Sequence, residues 1–396
     1  MRGAEMSELS YLEKLLDGVE VEWLPLSGLA RIRNGKDHKS LSEGEFPVYG
    51  SGGIMRYVDT YAYNKPSVLI PRKGSLGNLF FVNVPFWTVD TIFYTEIDEA
   101  QIRPKYLYYF LTTVGLGEMN QAGGVPSQTQ SVLNKLKIPI PCPDNPEKSL
   151  AIQSEIVRIL DKFTELTAEL TAELNMRKKQ YNYYRDQLLT FKEGEVEWKA
   201  LGEIGEVRMC KRILKSQTSS EGEIPFYKIG TFGKEPDSYI SRKLFNEFKE
   251  KYSYPKVGEV LISASGTIGR TVIFDGRESY FQDSNIVWIE NNEKIVLNKY
   301  LFYFYKIAKW GISEGGTIKR LYNDNLRKLM IPVPFPDSPE RSLVEQQKIV
   351  KLLDKFDALT NSITEGLPRE IELRQKQYEY YRDLLFSFPK PDTVSN

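Results

Sequence analysis

Apolar residues recur along two long stretches of the chain at the three- and four-residue spacing of an amphipathic helix. The first stretch, 150–191, contains neither proline nor glycine. Its apolar stripe is interrupted only near Arg177 and comprises Ile152, Ile156, Ile159, Phe163, Leu166, Leu170, Leu174, Tyr181, Tyr184 and Leu188. This pattern predicts one long helix, with Ser149 as a candidate N-cap after a Pro-rich run. The second stretch carries Gly366 and Pro368, so we expect that helix to break or kink there.

The remaining sequence has a different pattern. Short runs of Val, Ile, Tyr and Phe alternate with Gly, Pro and Asn, which is typical of strands joined by turns. A short helix is expected at YLYYFL (106–111) and at its counterpart YLFYFY (300–305). The sequence therefore predicts an α+β protein in which mixed bodies alternate with long helices.

The sequence contains an internal duplication. Residues 137–166 match 329–359, and 177–191 match 374–388 with 10 of 15 residues identical, whereas the bodies correspond only weakly. We therefore predict four segments: a body at 1–148, a long helix at 149–192, a second body at 193–340 and a second long helix at 341–390. The similar helices would pack on each other or on one partner used twice, and the divergent bodies would recognise different targets. The alternative, that helical interfaces tolerate less change than loop-rich surfaces, stays open.

The first helix contains the word TAEL twice in tandem, from Thr167 to Leu174. Four residues lengthen a helix by ~6 Å and rotate it by a net ~40°. One DNA base pair advances ~3.4 Å and rotates ~35°. The repeat is therefore interpreted as a ruler that sets a distance along DNA, with tolerated slippage of a repeated coding sequence as the alternative.

Composition narrows the function classes. Lys plus Arg equals Asp plus Glu at 53 each, so net charge favours no partner. No apolar run approaches the ~18 residues of a membrane span. With His38, Cys142 and Cys210 as the only His and Cys residues, a disulfide framework and a structural zinc site are not expected. The composition favours a reducing, cytoplasmic location.

Motifs for catalysis are missing. The sequence holds no Asp/Asn-Pro-Pro-Tyr/Phe motif of DNA amino-methyltransferases, no phosphate-binding P-loop and no Gly-x-Gly-x-x-Gly. Pro236, Asp237, Glu247 and Lys249 fit the loose nuclease pattern PD…ExK, but the last two lie in a polar, helix-like stretch. No catalytic or metal-binding residue is therefore predicted.

Basic and amide side chains concentrate at corresponding places in the two bodies. Lys and Arg neutralise phosphates, and Gln, Asn and Arg hydrogen-bond base edges. The candidate DNA-binding residues of the first body are Arg31, Arg33, Lys36, Lys39, Arg72, Lys73, Ser127, Gln128 and Gln130. Those of the second body are Arg208, Lys211, Arg212, Lys215, Arg270, Lys319 and Arg320.

This layout resembles the specificity subunit of type I restriction–modification enzymes. The features that carry the resemblance are the Glu-Trp-x-x-Leu starts, the Ile-Pro-x-Pro exits, the helix opening at 153–163 and QYxYYRDxLLxF at 180–191 and 377–388. The resemblance implies two target-recognition domains separated by two helices that pair as an antiparallel coiled coil. It implies a non-catalytic DNA-reading subunit, joined by two methyltransferase subunits and a restriction/translocase subunit. S-adenosylmethionine, ATP and Mg²⁺ would belong to those partners.

Tyrosines on several faces of the helix ends suggest that these ends dock a partner rather than only pack on each other. The candidate partner-binding residues are Tyr181, Tyr184, Arg185, Tyr378, Tyr381 and Arg382. Two rival functions remain at this stage. The chain could be a self-sufficient nuclease or methyltransferase, or a coiled-coil scaffold whose bodies bind something other than DNA.

Overall fold

A computed structural model describes residues 18–119, 127–192, 194–311 and 320–390 of the chain. The chain divides into two compact units. Unit 1 contains residues 1–171 and 370–396, and unit 2 contains residues 172–369. Each unit therefore combines one body with parts of both long helical stretches.

The strands of the two bodies follow the alternating pattern expected from sequence. In unit 1 they are β1 (Val21–Pro25), β2 (Ala30–Asn34), β3 (Phe46–Gly50), β4 (Gly53–Val58), β5 (Ser67–Pro71), β6 (Phe80–Val82), β7 (Trp87–Thr88), β8 (Ile92–Ile97) and β9 (Lys137–Pro141). In unit 2 they are β10 (Val196–Ala200), β11 (Gly205–Arg208), β12 (Ile224–Tyr227), β13 (Tyr239–Ile240), β14 (Val260–Ser263), β15 (Thr271–Ile273), β16 (Tyr280–Phe281), β17 (Ile286–Asn291) and β18 (Met330–Pro334).

The helices include two short ones that correspond between the bodies and three long ones. They are α1 (Pro104–Leu111), α2 (Gln130–Leu133), α3 (Pro146–Leu188), α4 (Leu201–Ile204), α5 (Arg242–Lys251), α6 (Asn298–Tyr305), α7 (Asn323–Arg327), α8 (Pro339–Asn361) and α9 (Gly366–Leu385). The predicted short helices are α1 and α6. The predicted long helix is α3, which runs unbroken for 43 residues.

The two bodies have the same sheet topology. Each contains a four-stranded sheet, in the order β2-β8-β5-β6 in unit 1 and β11-β17-β14-β15 in unit 2. Each also has a three-stranded sheet, β4-β3-β7 or β13-β12-β16. The Trp-containing strand that starts a body pairs antiparallel with the Ile-Pro strand that ends it, Trp23 opposite Pro139 and Trp198 opposite Pro332. The predicted α+β class with an internal repeat is confirmed.

In unit 1, a partly buried polar network centred on Asp161 attaches the first half of α3 to the body. The carboxylate accepts hydrogen bonds from Tyr109 Oη at 2.6 Å and Lys105 Nζ at 2.8 Å. Burial and this hydrogen bond raise the pKa of Tyr109 well above its ordinary value, so its hydroxyl stays protonated. Eight residues earlier, the fully buried Gln153 accepts the backbone N–H of Arg103 at 2.8 Å.

Unit 2 repeats this network with its own residues. Asp354 on α8 accepts Tyr303 Oη at 2.6 Å and Lys299 Nζ at 2.7 Å. Gln346 is fully buried and accepts the backbone N–H of Leu297 at 2.9 Å. The same hydrogen bonds recur in both units. The position of each helix on its body is therefore fixed by specific polar contacts as well as by apolar packing.

The end of each long stretch packs on the body that it does not directly follow. In unit 1, Tyr381 of α9 stacks on Phe163 with ring centroids 5.1 Å apart, and Phe386 contacts Tyr106 at 5.3 Å. In unit 2, Tyr184 of α3 stacks on Phe356 at 5.6 Å. Residue 163 pairs with 381 and residue 184 with 356, which is the reversed order expected of antiparallel helices.

The helix ends differ in detail from the prediction. Asn145 caps α3, since its Oδ1 accepts the backbone N–H of Lys148 at 3.0 Å. The predicted cap, Ser149, lies inside the helix instead and accepts Gln153 Nε2 at 3.1 Å. The second long stretch is interrupted between Asn361 and Gly366.

Gly366 adopts φ +74° at that interruption, a left-handed conformation that favours glycine. A Cβ at this position would lie 2.4 Å from the carbonyl oxygen of Ala358.

The two long stretches differ in length by four residues. Phe163 and Tyr181 are 18 positions apart, whereas their counterparts Phe356 and Tyr378 are 22 apart. The four-residue linker 362–365 accommodates that difference outside the helices.

Candidate nucleic-acid interface

Antiparallel pairing brings three chain segments of unit 1 to one edge of the four-stranded sheet. Strands β2 and β5 both pair with β8, so their C-terminal ends lie beside its N-terminal end. Backbone N–H groups of Lys36 and Arg72 donate to Thr88 O and Thr91 O, both at 2.8 Å, and Gln128 N donates to Arg72 O at 3.0 Å. We call residues 34–36, 72–74, 88–91 and 127–130 the first loop cluster.

Unit 2 builds the same arrangement from the ends of β11 and β14 and the start of β17. Leu321 N donates to Ala264 O, and Ala264 N to Asn285 O, both at 2.8 Å. Arg212 Nε lies 3.1 Å from Asp283 Oδ2, and Arg320 Nη2 donates to Ser284 O at 3.1 Å. We call residues 210–212, 264–266, 282–285 and 320–321 the second loop cluster.

The backbone of Ser284 in the second loop cluster is strained. It has φ +52°, in the left-handed region that costs a non-glycine residue roughly 1–2 kcal/mol. The guanidinium of Arg320 holds its carbonyl, and Ser265 Oγ donates to Asn285 Oδ1 at 2.8 Å next to it. Strain supported by polar contacts in this way is common at binding sites.

The candidate cations divide into paired and unpaired groups. Arg33 pairs with Glu96 at 3.0 Å, and Arg208 pairs with Glu206 and Glu290 at 2.8 and 2.7 Å. Lys73 lies 3.8 Å from Asp90. The candidates that make no ion pair within the described part of the chain are Arg31, Lys36, Lys39, Arg72, Lys211, Lys215, Arg270 and Arg320. Apart from Arg270 and Arg320, which donate hydrogen bonds to backbone carbonyls, the members of this second group have no ion pair that a phosphate would have to break, so they are the better placed to contact phosphates.

Several of the unpaired cations make other contacts. Lys211 Nζ lies 5.2 Å from the centroid of the Tyr252 ring, and the Arg72 guanidinium lies 5.8 Å from that of Phe93. Arg270 Nη1 donates to Phe232 O at 3.0 Å. The last contact ties Arg270 to the protein backbone, so it acts first as a structural residue.

The amide candidates have different surroundings. Gln128 is 2% exposed, and its Nε2 donates to Pro71 O at 2.5 Å. It therefore joins two segments of the first loop cluster and is buried at this position, which does not favour the base contact expected from sequence. Gln130 is partly exposed and donates to Asn34 Oδ1 at 3.1 Å. Ser127 forms an isolated antiparallel β-bridge with Lys73 through the backbone. Lys319 lies outside the described residues.

The structure adds residues that sequence reasoning missed. Thr91 and Asn285 occupy the same position in the two loop clusters, just before β8 and β17. Asn34 accepts a hydrogen bond from the candidate Gln130, and Ser265 forms a backbone β-bridge with the candidate Arg320. The weak match of TVDTI with QDSNI was the only sequence signal for the first two. Neither segment is basic, so a search for charge passes over them.

The candidate partner-binding tyrosines are unequally exposed. Tyr181 and Tyr381 are 4% and 6% exposed and belong to the cores of units 2 and 1. Their role inside the chain is packing, because a side chain in these positions cannot reach a partner without opening the unit. Tyr184 is 39% exposed, and the equivalent neighbours Tyr183 and Tyr380 are 61% and 60% exposed.

The remaining three candidates lie beside these rings. The guanidinium of Arg185 lies over the Tyr181 ring at 5.8 Å and pairs with Asp186 at 2.8 Å. Arg382 lies over the half-buried Tyr378 ring at 5.7 Å and pairs with its own neighbouring aspartate at 2.7 Å.

The nuclease-like residues do not form a site. Glu247 and Lys249 lie on helix α5, where Glu247 pairs with Lys251 at 3.0 Å, while Asp237 pairs with Lys228 at 2.9 Å. Within the described ranges, no group of three or more His, Cys, Asp or Glu side chains is placed to hold a metal ion. No described helix is long and apolar enough to cross a membrane.

The family model of the type I restriction modification DNA specificity domain matches residues 19–177 and again 193–373. The two matches cover most of the chain and coincide with its internal repeat. The chain belongs to this family. Specificity subunits are the non-catalytic components that recognise DNA in type I enzymes, so this chain recognises a DNA sequence and works with partner subunits.

Two relatives support the assignment over the whole length. A putative type I restriction enzyme specificity subunit of Haemophilus influenzae is 52% identical, over 96% of this chain and 98% of its own. A type I restriction enzyme specificity subunit of Escherichia coli is 44% identical, over 99% of this chain and all of its own.

Solved structures share the fold of this specificity subunit. A type I restriction–modification S subunit from M. genitalium aligns with a TM-score of 0.59 at 16% identity, over 94% of this chain and 98% of its own. A chain from a structure described as concerning complex assembly and conformational transition of the type I system aligns with a TM-score of 0.53 at 15% identity, over 92% and 97%.

Proposed function

We propose that the two bodies read the two halves of a split, asymmetric DNA site, one half each. The observation that carries this is the loop cluster that each body builds at the same sheet edge from different residues. The first presents Lys36 and Arg72, and the second presents Lys211, none of which makes an ion pair within the described residues. Shared architecture provides phosphate contacts in both halves, and divergent side chains read different bases. On this proposal, residues 1–148 and 193–340 are the recognition domains, and 149–192 and 341–390 are the connecting helices.

Mapping of methylated sites tests this proposal. The chain is combined with its methyltransferase subunits, and the modified positions in random-sequence DNA are determined. Replacement of residues 195–340 by the second body of a relative should change one half-site and leave the other intact. If both halves changed, the modular reading of DNA would be wrong.

The tandem TAEL words set the distance between the half-sites in this proposal. The boundary between units 1 and 2 falls between Thr171 and Ala172, inside the repeat. An added unit therefore lengthens α3 without replacing a residue of either loop cluster. Thr167 and Thr171 direct their hydroxyls to the carbonyls of Phe163 and Thr167 at 2.8 and 2.7 Å, so the repeat satisfies its polar groups within the helix.

Insertion of one TAEL after Leu174 should leave both half-sites unchanged and lengthen the unread spacer by one or two base pairs. Four residues correspond to ~6 Å of helix, against ~3.4 Å per base pair. An insertion of four alanines is the matched control, since it changes length equally but adds no leucine to the apolar stripe. An unchanged spacer in a folded TAEL variant would show that the helix does not set the distance.

The exposed aromatic side chains of the helix ends are the surfaces that we assign to methyltransferase docking, with one methyltransferase on each. Tyr183 and Tyr184 form one surface, and Tyr380 belongs to the equivalent one. Exposed aromatic rings next to Arg are typical anchors of protein interfaces. S-adenosylmethionine, ATP and Mg²⁺ would be held by the methyltransferase and restriction/translocase partners of this cytoplasmic complex.

Native mass measurement tests the docking surfaces. Tyr183→Ala should reduce methyltransferase stoichiometry from two to one, and the double variant with Tyr380→Ala should abolish stable binding. Met176→Ala, at 57% exposure elsewhere on α3, is the matched control. Full stoichiometry in the folded double variant would exclude these surfaces.

A further inference from the structure

An irregularity in the first body exposes two successive apolar side chains. In the β3–β4 hairpin, Tyr49 pairs with Ile54 and Val48 pairs with Arg56, so Met55 is an extra residue that forms a β-bulge. Regular strands direct successive side chains to opposite faces. Here Ile54 and Met55 are both exposed, at 48% and 59%.

The bulge is held against the first loop cluster. Ser51 at the hairpin tip donates its N–H to Thr91 Oγ1 at 3.3 Å, and Asn78 Nδ2 donates to Ser51 O at 3.2 Å. The Met55 thioether occupies space that Gly50 leaves open, since a Cβ on that glycine would lie 2.8 Å from the sulfur and 3.4 Å from the Thr91 hydroxyl. The apolar pair is therefore continuous with the candidate DNA-binding surface.

The hairpin is rigid enough to present these side chains in one place. Tyr49, on the strand opposite the bulge, packs against Phe80 and Phe86 with ring centroids 5.7 and 6.4 Å apart. Phe86 is fully buried. A bulge fixed on an aromatic base and tied by two hydrogen bonds at its tip holds its exposed side chains with little loss of freedom on binding.

The second body has no such pair in the corresponding connection after β12. Phe232 there is 1% exposed, and Ile229 is half-buried with its N–H bound to Gln282 Oε1 at 3.0 Å. The exposed apolar pair is therefore a property of the first body and not a requirement of the fold. This difference is expected of a residue that selects a DNA sequence.

We propose that Met55, supported by Ile54, packs on the 5-methyl group of a thymine in the half-site read by the first body. The proposal rests on the proposed function of that body. The thymine methyl is exposed in the major groove, and apolar side chains recognise it because hydrogen-bonding groups cannot. The nearby Arg72, which makes no ion pair within the described residues, supplies a phosphate contact, and the unbranched, polarizable thioether adapts to the base edge.

Thymine-to-uracil replacement tests the contact, because it removes only the methyl group. The complex of this chain with its methyltransferase is bound to duplexes in which each thymine of the first-body half-site is replaced in turn. One replacement should weaken binding by about fourfold, as expected for one buried methyl. In the complex carrying Met55→Ala, thymine and uracil at that position should bind equally, while discrimination in the other half-site is retained.

Val84→Ala is the matched control, because Val84 is also an apolar residue of unit 1 with 48% exposure. Retained discrimination in Met55→Ala and Ile54→Ala would overturn the proposal, as would a first half-site without thymine. If Met55→Ala weakened binding to thymine DNA and to uracil DNA by the same factor, that result would also overturn the proposal. It would indicate that the side chain inserts between base steps. The proposed function fails by a different result: exchange of residues 1–148 that leaves both half-sites unchanged.

Discussion

The Asp161 network predicts a measurable coupling between the first body and its helix. Asp161→Asn keeps the side-chain shape but removes the charge that Tyr109 and Lys105 contact at 2.6 and 2.8 Å. A hydrogen bond to a charged group contributes ~1.5–3 kcal/mol. The lysine pair adds less, because the Lys105 and Asp161 side chains remain 39% and 24% exposed, and such pairs contribute ~0–1 kcal/mol. We therefore expect unit 1 to lose about 2 kcal/mol of stability.

Hydrogen exchange of the α1 amides, Pro104–Leu111, is the appropriate assay because it reports on the opening of unit 1 alone. A double-mutant cycle with Tyr109→Phe should give a coupling energy of at least ~1.5 kcal/mol, since Tyr109→Phe removes the hydrogen bond and Asp161→Asn removes the charge that strengthens it. Lys105→Ala should cost less than ~1 kcal/mol. Asp354→Asn repeats the experiment in unit 2, with Tyr303→Phe as its partner.

Additive effects of Asp161→Asn and Tyr109→Phe, within ~0.5 kcal/mol, would refute the reasoning. The attachment of helix to body would then depend on apolar packing. Equal protection changes in both units from Asp161→Asn alone would also contradict it, because the network lies within unit 1.

Three further predictions concern single positions. Gly366→Ala should lower the melting temperature of unit 2, because it places a Cβ at φ +74° and 2.4 Å from Ala358 O; calorimetry should show a loss of at least ~1 kcal/mol. Gln128→Ala should destabilise unit 1 by ~1–3 kcal/mol, because the carbonyl of Pro71 loses its buried donor; a change in base preference without loss of stability would contradict this. Lys211→Ala should reduce the slope of log affinity against log salt by about 1 and leave the recognised sequence unchanged, as measured by titration at several salt concentrations.

The sequence predicted the features that depend on local periodicity. The long apolar stripe of α3, the short helices α1 and α6 and the duplication of the bodies were all readable, because spacing and repetition are properties of the chain itself. The N-cap was assigned to Ser149 and not to Asn145, because both residue types cap helices and only the backbone conformation distinguishes them.

Contacts between residues that are far apart in the sequence were harder to predict. Gln128 looked like a base-reading residue because its type and its basic surroundings suit DNA, but burial against Pro71 assigns it to packing. Tyr181 and Tyr381 looked like docking residues, and their partners Phe356 and Phe163 lie 175 and 218 positions away. The role of such a residue is decided by what covers it, which no local pattern records.

The composition of unit 1 has a consequence for the order of synthesis. Its core includes Tyr381, Leu385, Phe386 and Phe388 from the end of the chain, whereas unit 2 is continuous from 172 to 369. The first body precedes these residues in the chain, so its core is incomplete until residues 381–389 have been made, and until then the Trp23 indole lacks its acceptor on Pro389. A nascent chain that stops short of residue 380 would contain all residues of unit 2 but would lack part of the core of unit 1. Premature termination before residue 380 would thus damage the first body, although it is translated before the second.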